Sequence, residues 1–190
     1  MSKFKMMFLA VFVSTILLLQ FIGSTPVLAY PSTCSTTAST VKQSKSKWCW
    51  VACSVSVIKA IDNVTVSQNS YCIDAIGSTS NEGQTLAQIR GHLYTVRGID
   101  CSLTNNFVGF YTTVKTEIYN GRPLLTRMSY ATSSSLAHAV LITGYDDSGT
   151  EPKVTVMDPA KGTKTKYTYE DVRDSYLDLY CWTGTLDDFE

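Results

Sequence analysis

Three stretches in the first two thirds of the chain have apolar residues at helical spacing. Residues 48–61 are apolar nearly all round, which is typical of a buried helix. Residues 84–96 are apolar on one face and predict an amphipathic helix; that face consists of Leu86, Ile89, Leu93 and Val96. A third helix is predicted over 108–119, because Asn120-Gly121 follows as a C-terminal stop signal.

From residue 123 the apolar pattern changes to period two, which predicts strands. Residues 139–145 (AVLITGY) and 154–157 (VTVM) flank a turn-rich DDSG segment, so we expect a hairpin. The pattern also predicts strands at 123–129, 164–169 and 179–185, a loop of small residues at 131–136 and a short helix at 170–176. Helices precede strands, and this order predicts an α+β fold in which a helical part with a buried central helix is followed by an antiparallel sheet.

The first 29 residues have the three regions of a cleaved signal peptide. Two lysines precede an apolar run over 6–22, and small residues end at Ala29. A membrane anchor is the alternative, but the run contains polar residues and is shorter than the roughly 20 apolar residues that a span requires. We therefore expect a secreted protein, with no membrane association after cleavage, in which 30–42 is an extended lead-in and 43–190 is one domain.

The charge balance limits the classes of partner. The chain has 16 Lys+Arg and 16 Asp+Glu, and removal of residues 1–29, with their two lysines, leaves 14 basic and 16 acidic groups. Nucleic-acid binding requires a basic excess, and a lipid-surface patch requires a basic run. The sequence therefore argues against a nucleic-acid partner and a membrane partner, and it leaves the oligomeric state open.

All six cysteines lie after residue 30, and export favours their pairing in disulfides. Cys49 differs from the others because it stands where a Lys-rich loop meets the buried helix. The helix dipole and the free N–H groups at such a position stabilise a thiolate. Cys53, one turn later, is expected to be buried or disulfide-bonded, and a Cys53–Cys72 bond that braces the site is preferred. Gln43 precedes Cys49 by six residues, so its amide N–H can point at the oxygen of an attacked carbonyl.

Only two histidines are present, so a histidine-dependent site is nearly determined. His92 lies on the polar side of the amphipathic helix, where a solvated imidazole is expected. His138 begins the first strand of the hairpin and faces a position near residue 158 across a turn centred near 148. Asp158 is therefore a candidate to orient His138 as a base.

These motifs together resemble papain-like cysteine peptidases. QSKSKWCWVAC resembles the Gln-x5-Cys helix start of that superfamily, and it is most similar to the bacterial branch that contains bacteriocin-leader peptidases and secreted effector proteases. NGRPLLTRM, AHAVLITGYDD and VTVMDPAKGTKTKYTYEDV then resemble, in family order, an Asn-Gly-Arg-Pro strand start, a His-Ala-Val strand and an Asp-Pro-x-x-Gly strand end. The resemblance covers about residues 43–172 and implies a papain-like fold.

The resemblance also implies roles for single residues. These are Cys49 as nucleophile, His138 as base, Asp158 as the orienting acid and Gln43 as oxyanion donor. Together these roles imply a secreted cysteine endopeptidase that acts on a protein or peptide substrate without a cofactor. A cell-wall peptide or amide hydrolase and a disulfide-braced binding module without activity are the alternatives. No metal site is predicted, because Cys49-x3-Cys53 matches no common zinc-finger spacing.

Overall fold

The computed structural model describes residues 30–130 and 133–190. The signal peptide predicted for 1–29, and the membrane anchor weighed against it, lie outside these residues. The helical elements are α1 (Cys49–Ile61), α2 (Gln68–Ile76), α3 (Leu86–Arg97), a π-helical turn (Phe110–Val114) that continues into α4 (Lys115–Tyr119), and α5 (Tyr169–Asp174). The strands are β1 (Thr33–Ser35), β2 (Ser102–Thr104), β3 (Leu124–Tyr130), β4 (Ser133–Asp146), β5 (Lys153–Asp158), β6 (Thr163–Thr168) and β7 (Tyr180–Asp187).

The strands form one antiparallel sheet in the order β2-β7-β3-β4-β5-β6, and β1 pairs with the end of β4. The predicted α+β class with an antiparallel sheet is confirmed. β1 pairs with β4 next to Gly144, where a Cβ atom would lie 2.9 Å from the Cys34 carbonyl oxygen. Glycine at this position therefore lets the first strand join the sheet.

Helices cover both faces of the sheet, and the period-two pattern of the strands explains how. Neighbouring residues of one strand point to opposite faces and enter two different apolar clusters. The first cluster packs α1, α2 and α3 against one face through Leu125, Leu141 and Met157. The second packs the π-helical turn, α4 and α5 against the other face through Leu124, Val140 and Val156. α1 is buried from Trp50 to Ile58, so it lies inside the first cluster rather than on the surface.

Several elements differ from the sequence prediction. α2 lies in a stretch that the sequence analysis left without a helix, since only Tyr71 and Cys72 of its nine residues are buried and its apolar pattern is weak. The strands β1 and β2 have three residues each, and their pairing partners rather than their own sequences define them. The predicted loop at 131–136 is wrong from Ser133, where β4 begins. Among the described residues, no helix is long and apolar enough to cross a membrane.

Candidate active site

Cys49 is the first residue of α1, with Trp48 at the N-cap position. The Trp48 side chain makes no capping hydrogen bond, and the backbone N–H groups of Trp50 and Ala139 hydrogen-bond to the thiol. Two indole N–H groups fix this end of the helix. Trp48 donates to the Ser80 carbonyl oxygen at 2.8 Å, and Trp50 donates to the Glu82 carbonyl oxygen at 2.9 Å. The thiol is thus held at a helix start among N–H donors, an environment that stabilises a thiolate.

His138 lies on β4 beside Cys49, and its Nε2 atom is 2.7 Å from Oδ1 of Asp158, the last residue of β5. The imidazole also hydrogen-bonds to the Cys49 thiol. Since Nε2 contacts the carboxylate, Nδ1 is the nitrogen left for the thiol. The structure therefore brings together three of the four residues that the sequence singled out, in the order thiol, imidazole, carboxylate.

Three groups hold the Asp158 carboxylate, which is 4% exposed. Besides His138, the Ala160 N–H donates to Oδ1 (3.0 Å), and the Tyr176 hydroxyl donates to Oδ2 (3.2 Å). Tyr176 is 1% exposed. The sequence does not predict this contact, because no local pattern shows that a tyrosine beyond α5 returns to the end of β5.

The turn after Asp158 is fixed to the loop before Cys49. The Gln43 N–H donates to the Pro159 carbonyl oxygen at 2.9 Å. Gly162 has a φ of 70°, and a Cβ atom there would lie 2.7 Å from the Cβ of Lys42. Glycine is required both by the backbone conformation and by this close approach. The two segments that carry the thiol and the carboxylate are therefore in direct contact.

The electrostatics of the three groups favour an ion pair between Cys49 and His138. Burial raises the pKa of Cys49, but the hydrogen bond to His138, its positive charge and two backbone N–H groups outweigh burial, so the pKa is lowered. Burial lowers the pKa of His138, but hydrogen bonds with Asp158 and Cys49 raise the pKa to about 9. Burial raises the pKa of Asp158, whereas its bond to His138 and its other donors lower the pKa overall. The thiol and the imidazole therefore each stabilise the charged form of the other, and the Asp158 carboxylate stabilises the imidazolium.

Gln43 lies in the loop before α1, and its side-chain amide is bound within that loop. Its Nε2 atom donates to the carbonyl oxygens of Lys45 and Ser46, both at 2.9 Å, while its Oε1 atom is buried without a hydrogen-bond partner. Both amide N–H groups are therefore engaged in the structure. The oxyanion role of Gln43 stays a prediction.

A cleft of about 540 Å³ opens over Cys49, His138 and Asp158. The other residues that line it are Ser46, Lys47, Gly83, Ala137, Ala160, Lys161, Leu177 and Tyr180. Tyr180 lies with its ring centroid 6.2 Å from that of His138 and packs on Tyr130 at 4.5 Å. The cleft thus gives a substrate direct access to the thiol and the imidazole. No group of three or more His, Cys, Asp or Glu suited to a metal ion occurs within the described ranges.

Two predictions about neighbouring residues are wrong. All six cysteines are free, so the expected Cys53–Cys72 disulfide is not formed; both thiols are buried in the first apolar cluster instead. His92 was expected to be solvated, but its ring packs on Trp50 with centroids 5.6 Å apart, and its Nε2 atom is buried without a partner. Trp50 projects from α1 toward α3 and covers the imidazole, which the one-face pattern of α3 does not reveal.

The chain is similar to a known protein family. A model of the Peptidase_C39 like family matches residues 35–185, from the last residue of β1 to the sixth residue of β7. The matched range contains Gln43, Cys49, His138 and Asp158. No curated protein sequence matches the chain.

Proposed function

Because the chain belongs to the Peptidase_C39 like family, and so to the bacteriocin-leader-peptidase-like branch of the papain-like cysteine peptidases, we propose that it is a secreted endopeptidase. It hydrolyses peptide bonds with Cys49 as nucleophile, His138 as acid and base, and Asp158 as the group that orients His138. The hydrogen-bonded series from thiol to carboxylate at the floor of an open cleft is the observation that carries this proposal. Export is proposed from the signal-like pattern of residues 1–29.

The reaction proceeds in two halves. The Cys49 thiolate attacks the carbonyl carbon of the scissile bond, and the carbonyl oxygen takes the negative charge. The imidazolium of His138 gives its proton to the leaving amine as the C–N bond breaks, which leaves an acyl thioester on Cys49. A water molecule then gives a proton to His138 and its oxygen to the acyl carbon. The product acid departs, and the thiolate and imidazolium are restored.

The oxyanion is bound by backbone and side-chain donors. The N–H of Cys49, at the start of α1, is proposed as one donor. Gln43 is proposed as the second, and this requires that one amide N–H turns from the Lys45 or Ser46 carbonyl to the substrate oxygen. The new hydrogen bond would form only when the tetrahedral intermediate forms, so the interaction would favour that state over the bound substrate.

Selective alkylation tests the ion pair directly. We expect iodoacetamide at pH 6 to modify Cys49 at least about tenfold faster than Cys53 or Cys101, because His138 lowers the pKa of Cys49 while burial raises the pKa of the other two. The folded, non-reduced protein is labelled and each site is quantified by mass spectrometry. Equal, slow labelling of all three thiols at pH 6 would contradict an activated Cys49.

Peptide hydrolysis has an alkaline limit set by His138. The leaving amine needs the imidazolium proton, so turnover is expected to fall as pH rises through the His138 pKa of about 9. Alkylation of Cys49 should persist above that pH, because it needs only the thiolate. Comparing kcat/KM with the alkylation rate from pH 5 to 10 separates the two titrations.

Removal of the Tyr176 hydroxyl should weaken the orientation of His138 without removing a reacting group. We expect Tyr176→Phe to lower kcat/KM roughly tenfold, because a buried carboxylate loses one hydrogen-bond donor. The loss of that donor also raises the pKa of Asp158, so the acidic limit of activity moves to higher pH.

Tyr169→Phe is the matched control. This tyrosine is buried in the same apolar cluster and donates to the Val108 carbonyl oxygen at 2.7 Å, remote from Asp158 in the hydrogen-bond network. The Tyr169→Phe variant should lose about as much thermal stability as Tyr176→Phe and should keep the pH profile of wild type. Identical pH profiles for both variants and wild type would show that Tyr176 has a packing role only.

A further inference from the structure

Two lysines, Lys47 and Lys161, line the same cleft as the hydrogen-bonded series. Lys47 precedes Cys49 by two residues, and Lys161 follows Asp158 by three residues in the turn between β5 and β6. Both are exposed and border the same 540 Å³ volume as the thiol and the imidazole. Any peptide that reaches Cys49 through this cleft therefore passes between or beside two ammonium groups.

The backbone at each lysine is fixed, although the side chain is not. The Lys47 N–H donates to Asn81 Oδ1 at 2.9 Å. Lys161 lies between Ala160 and Gly162, whose N–H groups donate to the side chain and the carbonyl oxygen of Asp158. The two ammonium groups are thus anchored at defined points on the rim, and only their flexible stems need to adjust to a ligand.

Neither ammonium group has an internal partner. Within the described residues, the side chains of Lys47 and Lys161 make no hydrogen bond, ion pair or aromatic contact. Other lysines differ: Lys115 pairs with Asp147 at 2.5 Å and Lys166 with Asp146 at 2.7 Å. A carboxylate that approaches the cleft rim therefore displaces no existing interaction.

The described lining of the cleft has one acidic group, and that group does not neutralise the lysines. It is Asp158, whose carboxylate is buried and bound to His138, Ala160 and Tyr176. Whether the shared proton lies on Cys49 or on His138, this pair adds no net charge, so Lys47 and Lys161 give the cleft a net positive charge. The chain from residue 30 onward has two more acidic than basic groups, so this positive charge is local to the cleft.

We propose that the cleft selects peptides with an acidic side chain close to the scissile bond, and that Lys47 and Lys161 bind that carboxylate. The inference rests on the proposed function and assigns a substrate class to it. The interaction is a solvent-exposed ion pair, so each lysine should contribute about two- to fivefold in selectivity, with a smaller contribution at high salt.

Pairs of peptides that differ only in Glu or Gln provide the test, since the two side chains have the same shape and different charge. A cleavage site is first identified by mass spectrometry in a digest of a denatured protein, and each position from three residues before to three after the bond is varied. At one or more positions, kcat/KM for the Glu peptide should exceed that for the Gln peptide about five- to tenfold. In the double variant Lys47→Gln/Lys161→Gln, this ratio should fall close to one.

Lys153→Gln is the matched control, because Lys153 is also exposed and without a side-chain partner among the described residues but lies at the opposite end of β5. Its Glu/Gln ratio should equal that of wild type. The charge reversal Lys161→Glu should lower the ratio below that of Lys161→Gln. A wild-type ratio near one at every position, or a ratio that the double variant retains, overturns the proposal.

Binding separates this inference from the proposed function. The same peptides, carrying a fluorophore, are titrated with the Cys49→Ala protein and followed by anisotropy. If wild type hydrolyses no peptide but Glu peptides still bind more tightly than Gln peptides, endopeptidase function fails and the acidic-peptide cleft stands. If hydrolysis occurs without any Glu preference in rate or binding, the function stands and the substrate class is wrong.

Discussion

Cys49→Ala should lower kcat/KM for peptide hydrolysis by at least about 10⁴-fold, because it removes the proposed nucleophile, on which every later step depends. No second thiol replaces it. Cys53, one turn further along α1, is fully buried, does not line the cleft, and has its pKa raised by burial. Casein and a mixed peptide pool serve as substrates, with new amino groups quantified over time.

Cys53→Ala is the control for this experiment, since it removes a thiol from the same helix without touching the cleft. It should cost stability through a cavity in the first apolar cluster and keep most of the turnover per folded molecule. A Cys49→Ala protein that retains a tenth of wild-type activity would exclude Cys49 as nucleophile.

The substrate used in the same assay also separates the alternatives. Release of stem peptides from purified cell walls, without cleavage of casein or peptides, would make the protein a cell-wall hydrolase. A wild-type protein that cleaves neither kind of substrate, although its far-UV circular dichroism spectrum shows that it is folded, would make it a binding module.

His138→Ala should have the second largest effect, a fall in kcat/KM of about 10³- to 10⁴-fold. The variant loses the proposed proton donor to the leaving amine and the positive charge that lowers the pKa of Cys49. Burial then dominates at Cys49 and raises its pKa, so alkylation at pH 6 should become as slow as at Cys53. Loss of turnover with unchanged alkylation at pH 6 would show that His138 does not activate the thiol.

His92→Ala is the matched histidine control. The His92 imidazole packs on Trp50, the residue next to Cys49. It makes no hydrogen bond with the Cys49 thiol or with Asp158. We expect lower stability with the pH profile and the alkylation rate retained. A similar loss of turnover in both variants would indicate that the start of α1, rather than the ion pair, controls activity.

The sequence predicted those parts of the site that depend on local patterns. The helix start at Cys49 follows from an apolar stretch with a sharp polar boundary, and the structure begins α1 at that residue. The expected pairing of residues across the hairpin also predicted that His138 lies near Asp158. The observed pairs run from Leu141–Met157 toward the turn with an irregularity between Ile142 and Gly144, so the contact is diagonal instead of directly across the strands.

The parts that were missed depend on distant packing. Tyr176, which contacts Asp158, begins a turn in which Leu177 and Asp178 have φ values of 54° and 60°, and non-glycine residues rarely adopt such values. No propensity predicts that turn from its sequence. His92 was misplaced for a similar reason: its environment is set by Trp50 from another helix, not by the periodicity of its own.

The contact between Cys49 on α1 and His138 on β4 ties the timing of activity to folding. One group belongs to a helix packed on the sheet and the other to the sheet itself, so neither segment alone contains the ion pair. A nascent or translocating chain in extended form therefore carries an ordinary thiol and an ordinary histidine. Under the proposed function, the chain gains peptidase activity only when α1 packs on the sheet, so folding itself controls when the thiol becomes reactive.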